Sequence, residues 1–123
     1  MGSTDARFVN KPWGHEEIFA VTDRYVGKIL FVRQGESLSL QYHELKEETL
    51  RVLDGVVEFL TGPNMEHLKA ETLKAGSVFH ITPGTLHRMT AISDCNLLEV
   101  STPELDDVVR LEDRYGRAGT SDP

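Results

Sequence analysis

Two polar blocks, each punctuated by glycine, constrain this chain more than anything else in it. The first runs Gly35-Glu-Ser-Leu-Ser-Leu-Gln41-Tyr-His43, then Glu48, then Gly55; the second runs Gly76, then Thr82-Pro83-Gly84-Thr-Leu-His87. Side chains alternate sides along an extended chain, so Ser37, Ser39, Gln41 and His43 share one face and Leu38, Leu40 and Tyr42 the other. Two buried faces suit a strand in a two-sheet barrel around a polar cavity. Gln41, His43, Glu48 and His87 offer four oxygen and nitrogen atoms to one divalent metal. Gln41 and His43 lie two apart on one strand, Glu48 follows a short turn, and His87 stands just past a tight glycine turn. Convergence from rigid elements is what a metal site requires. His15, His67 and His80 have no partner at ligand spacing and are read as non-ligands.

The rest of the chain reads as short strands. Ile18 to Val21, Tyr25 to Arg33, Ser37 to His43, Glu48 to Leu53, Val56 to Leu60, Ser77 to Ile81, Leu86 to Ala91 and Asn96 to Ser101 carry the apolar and β-branched patterns. Lys28, Leu30 and Val32 share one face of their strand; Ile29, Phe31 and Arg33 share the other. Asp54-Gly55 has hairpin chemistry. Lys11 to Glu17 looks irregular, Glu44 to Glu47 is a charged connection, and Met65 to Thr72 holds helix formers without a clear face. Thr102-Pro103-Glu104 resembles a helix start, with Leu105, Val108 and Val109 at helical spacing, so a short helix is expected over 104–110. About eight strands and one short helix describe an all-β jelly roll or barrel. The expected organisation is a flexible N-terminus over 1–7, one domain over 8–117 and a disordered tail over 118–123.

A chain of 123 residues with 39% hydrophobic and 27% charged residues fits one globular domain. Its net charge of −7 argues against nucleic-acid and anionic-membrane surfaces. Cys95, the single cysteine, cannot form an internal disulfide and is read as a small buried hydrophobe. No apolar run reaches the ~20 residues of a membrane span and no signal peptide is visible, so a cytoplasmic protein is expected. Exposed sheet edges lead to the expectation of a homodimer.

The two blocks resemble the paired motifs of the cupin family. Gly35, His43, Glu48 and Gly55 fit the first motif, with Gln41 in place of its first His. Gly76, Gly84 and His87 fit the second, with Thr82 in place of its Pro and Ala91 in place of its Asn. Within cupins the chain is similar to phosphomannose isomerases, above all to the isomerase half of bifunctional phosphomannose isomerase/mannose-1-phosphate guanylyltransferases. Lys11-Pro-Trp-Gly14, Tyr25, Lys28, Leu38-Ser-Leu-Gln-Tyr-His43, Leu98-Glu-Val100 and the stretch from Asp106 to Arg117 carry that likeness, which spans residues 8–117. Glu44-Leu45-Lys46 departs from a His-rich stretch of the family, and Thr49-Leu50 from its His-Trp. The resemblance does not imply guanylyltransferase activity.

The resemblance implies a cupin-type jelly-roll barrel and a mannose-6-phosphate isomerase-like protein acting on a sugar or sugar phosphate. Gln41, His43, Glu48 and His87 make a mixed site suited to zinc, with manganese, cobalt, nickel or iron as alternatives. The metal would polarise a carbonyl and its neighbouring hydroxyl while a base moves a proton between adjacent carbons. Lys28 and Glu99 are the candidates for acid/base or positioning roles. Read from the residues alone, Lys28 is equally a strand-end surface charge and Glu99 an outward strand position. Tyr25, Arg110, Arg114 and Arg117 are the candidates for substrate contact; the three arginines also suit surface ion pairs with Asp106, Asp107, Glu112 and Asp113. Arg88 is expected to face away from the metal, and Trp13 to plug the barrel mouth. The competing readings are a non-catalytic metal-dependent sugar-binding module and a cupin dioxygenase.

Overall fold

The computed structural model describes residues 2–116, together with the backbone pairing of 119–120. Its strands are β1 (Arg7–Lys11), β2 (Gly14–Val21), β3 (Val26–Val32), β4 (Leu40–Tyr42), β5 (Glu48–Asp54), β6 (Val56–Gly62), β7 (Lys69–Lys74), β8 (Val78–Ile81), β9 (Leu86–Ala91), β10 (Cys95–Ser101), β11 (Val109–Glu112) and β12 (Gly119–Thr120). They form two antiparallel six-stranded sheets, ordered β1-β2-β3-β10-β5-β8 and β12-β11-β4-β9-β6-β7. The chain is an all-β jelly roll of the cupin type. Among the described residues no helix is long and apolar enough to cross a membrane.

The inner faces divide the barrel into an apolar end and a polar end. Along β3 the inward residues run Lys28, Leu30, Val32; along β5 they run Glu48, Leu50, Val52; along β10 they run Glu99, Leu97, Cys95 as the chain is followed backwards. Register aligns the rows, with Leu97 opposite Leu30 and Val52, and Glu99 opposite Lys28. The other sheet adds Val57, Phe59, Leu73, Met89 and Ala91 to the apolar end, and the Phe59 and Phe79 rings stack 4.4 Å apart. Each of the larger of these side chains, Val57, Phe59, Leu73 and Met89, contributes roughly 1.5–3 kcal/mol on burial. Cys95 is fully buried there, and burial pushes its thiol up to about 11, so it packs as an apolar group.

Three expectations need correction. Residues 11–17 are not irregular: Phe8 pairs with Glu17 and Asn10 with His15, forming a β1–β2 hairpin. Residues 69–74 form edge strand β7, exposed except at Leu73, so no alternating pattern marks it. The helix expected over 104–110 is absent. Short turn bonds join Leu105 N–H to Pro103, Asp107 N–H to Glu104 and Val108 N–H to Asp106, and then Val109 and Arg110 pair with Tyr42 and Gln41. A two-turn helix has little stability of its own, and sheet pairing outweighs it. In the C-terminal stretch, Gly119 and Thr120 pair with Arg110 and Val109; residues 118 and 121–123 of the expected tail lie outside the described residues.

Candidate metal centre

The polar end is built from both sheets. Gln41 on β4 lies directly opposite His87 on β9, Glu48 opens β5 in the facing sheet, and His43 follows β4. The turn before β9 is fixed by Gly84, whose φ of +83° suits glycine and whose N–H donates to the His43 carbonyl at 2.8 Å. One ligand atom each from His43, Glu48 and His87 lies within 4.8 Å of the others, and all three residues are buried. His43 Nε2 stands 3.2 Å from Glu48 Oε2, and His87 Nε2 stands 3.9 Å from Glu48 Oε1.

The donor set fits a divalent ion. His43 Nδ1 donates to the Asp107 carbonyl at 2.5 Å, and His87 Nδ1 donates to the Thr85 carbonyl at 2.9 Å. Those bonds fix the tautomer in which each Nε2 turns a lone pair inward, the orientation a metal-ligating imidazole needs. Burial holds His87 below its ordinary pKa, although Glu48 and the Thr85 carbonyl pull the other way, so the ring is kept neutral. Burial pushes Glu48 up, but opposing charge, that of the Lys46 ammonium 3.2 Å away included, outweighs it and holds the carboxylate ionised. His43 Nε2 and Glu48 Oε2 are buried without an aligned hydrogen bond, which leaves their lone pairs for an ion.

Gln41 presents its amide nitrogen to His87 Nε2 at 3.4 Å, while its Oε1 accepts from the Ser39 hydroxyl at 2.7 Å. Rotating the amide half a turn exchanges the two atoms. A hydroxyl accepts as readily as it donates, so Ser39 remains a partner while Oε1 turns to the centre.

Lys28 and Glu99 are buried residues of the same cavity. Lys28 Nζ lies 3.4 Å from both carboxylate oxygens of Glu16 and 3.8 Å from Glu99 Oε2. Lys46 continues the chain of charge, 3.2 Å from Glu99 Oε2 and 3.2 Å from Glu48 Oε2. Burial alone would lower the Lys46 pKa, but Glu99 and Glu48 more than reverse that and raise it. Arg110 and Trp13 also line the cavity, and Trp13 is buried. Tyr25 is 55% exposed in the turn before β3, where its N–H bonds the Thr22 hydroxyl. Arg114 donates to the Gly35 carbonyl at 2.7 Å and lines a separate groove with Arg88, which is 3.5 Å from Glu112. Arg117 lies outside the described residues.

Lys46, Glu16 and Asp107 escape a reading of the sequence. Lys46 looks like one more charge in a solvated connection; its signal is the spacing of two from Glu48, which sends both inward. Asp107 carries no such signal. Its carboxylate accepts the N–H groups of Glu44, Leu45 and Lys46 at 2.9, 2.6 and 2.8 Å, folding the charged connection so that Lys46 turns inward.

The model of one family, described as the C-terminal part of mannose-6-phosphate isomerase, matches residues 3–113. Mannose-1-phosphate guanylyltransferase 2 of Escherichia coli O157:H7 is 31% identical over 114 residues, which are 89% of this chain and 23% of that protein. Mannose-1-phosphate guanylyltransferase ManC of Salmonella typhimurium is 33% identical over 90% of this chain and 23% of its own length. The chain thus spans about a quarter of the relatives it matches. Among solved structures, KdgF from Halomonas sp. superposes with a TM-score of 0.69 at 20% identity, covering 81% of this chain and 88% of that one, a likeness of fold.

Proposed function

Because this chain belongs to the mannose-6-phosphate isomerase C-terminal family, we propose that it is a metal-dependent cupin that interconverts the aldose and ketose forms of a sugar or sugar phosphate. The observation that carries the reading is the convergence of His43, Glu48 and His87 on one point in the cavity that also holds Lys28 and Glu99. Gln41, His43, Glu48 and His87 would hold the ion, zinc in this proposal. The ion supplies Lewis acidity toward a carbonyl and its neighbouring hydroxyl. Glu99 and Lys28 hold and move the proton between adjacent carbons, and Arg110 contacts the substrate's oxygen atoms. The ion-paired state of Lys28 and Glu99 favours a second reading, a sugar-binding module without turnover. We also propose a homodimer.

The deciding experiment is metal analysis of the purified protein beside a solvent-proton exchange assay over a panel of sugar phosphates. Exchange at the carbon next to the carbonyl, dependent on the metal, is the expected result. Binding without exchange at full occupancy selects the second reading, and neither binding nor exchange overturns both.

A further inference from the structure

The outer face of the first sheet carries a row of six residues whose order is a chemical palindrome. Successive register pairs join Phe8 to Glu17, Glu17 to Ile29, Ile29 to Leu98, Leu98 to Arg51 and Arg51 to Val78. Across β1-β2-β3-β10-β5-β8 the row reads apolar, acid, apolar, apolar, base, apolar. It spans about 24 Å at ~4.8 Å per strand. Phe8 and Val78 are 65% and 58% exposed, and Val100, beside Leu98 on the same face, is 51% exposed. His15 stacks on Phe31 at 5.2 Å in the neighbouring row, and the ring of the 43% exposed Phe19 lies over Gly27, opposite Val100. Among the described residues, no ion pair of this chain includes Glu17 or Arg51.

We propose that this face is the interface of a homodimer, related by a two-fold axis that lies in the interface, runs along the strands and passes between β3 and β10. That axis carries β3 over the partner's β10 and β2 over the partner's β5. Ile29 then faces a second Leu98, Glu17 a second Arg51, and Phe8 a second Val78. The interface is isologous, so the acid–base pair occurs twice. Face-to-face packing of two such sheets buries apolar area as in a β-sandwich, and the paired charges fix the register across it. A copy shifted by one strand would set Glu17 against Leu98 and Arg51 against Phe8, or, shifted the other way, Glu17 against Val78 and Arg51 against Ile29, leaving both charges desolvated and unpaired in either case. The proposal rests on the homodimer reading above and replaces its edge pairing with a face.

The test is a charge-swap cycle on the full chain, read by sedimentation velocity across concentration and salt. The wild type is expected at twice the monomer mass. Glu17→Arg and Arg51→Glu should each weaken the dimer at least tenfold, because each creates two like-charge contacts, and the double variant should recover most of the loss. Val100→Asp should weaken it without rescue by the swap. Thermal melts verify that each variant is folded, and Arg51, exposed on its strand, is the substitution least able to disturb the fold. A monomeric wild type overturns both the dimer and the surface. A dimer indifferent to either reversal, or a double variant no tighter than the singles, overturns the surface alone.

Discussion

At the scale of single residues, the candidate centre is a problem in buried charge. Glu16, Glu48 and Glu99 sit with Lys28 and Lys46 at exposures of 6% or less. Isolated ions would not remain ionised there; each is tolerated because it touches a neighbour of opposite sign. Lys46 is the least replaceable of them, since it alone touches both Glu48 and Glu99. Replacing it with methionine keeps the stem and removes the charge, leaving two carboxylates without that cation. Lys46→Met should therefore cost about 3–5 kcal/mol of unfolding free energy in the metal-free protein, as urea denaturation would read it. Lys46→Arg should cost much less. Equal losses from the two variants would show that packing, not charge, is what Lys46 supplies.

At the scale of elements, a glycine's importance depends on what surrounds it. Gly55 closes the β5–β6 hairpin at φ +81°, and a Cβ there would meet the Asp94 carbonyl oxygen at 2.3 Å and Cys95 Cβ at 2.6 Å. Gly84 has nearly the same φ, +83°, with nothing within 4 Å of its Cβ position. Gly84→Ala should thus cost only the left-handed conformation, about 1–2 kcal/mol. Gly55→Ala adds a clash with backbone and should cost at least ~2 kcal/mol more. Matching urea midpoints for the two variants would contradict this. The same contrast explains which elements are legible from sequence. The β5–β6 hairpin and β9 are, because a turn signal adjoins a strand with a buried face. Strand β7 is not, since Lys69 to Thr72 are all exposed and offer no periodicity. Strand β11 is not, because its pairing with β4 links residues some seventy positions apart and local propensity points to a helix. At the centre, His43, Glu48 and His87 are legible as ligand types at motif spacing, whereas Asp107 matters only through contacts that the fold creates.

At the scale of the molecule, the barrel separates what makes it fold from what would make it work. The apolar end, from Val32, Val52 and Cys95 to Phe59 and Met89, contains no ligand of the candidate centre. Folding should therefore survive removal of the metal, with the ion adding an increment on top. An ion that binds only the folded chain stabilises it by about 2.7 kcal/mol at a hundred times its dissociation constant. For a domain of this size that is roughly 10 °C in Tm. Melts in excess zinc and in chelator should both be cooperative and should differ by about that amount. His43→Ala and His87→Ala should each erase most of the difference, because each removes one of three converging atoms. A chelated protein without a cooperative transition would mean that the polar end is part of the folding core. A zinc increment that survives both substitutions would put the ion elsewhere. The Lys46→Met variant sharpens the comparison: with its Glu48 no longer neutralised by an ammonium, its zinc increment should exceed that of the wild type, since the ion then relieves a charge that nothing else relieves.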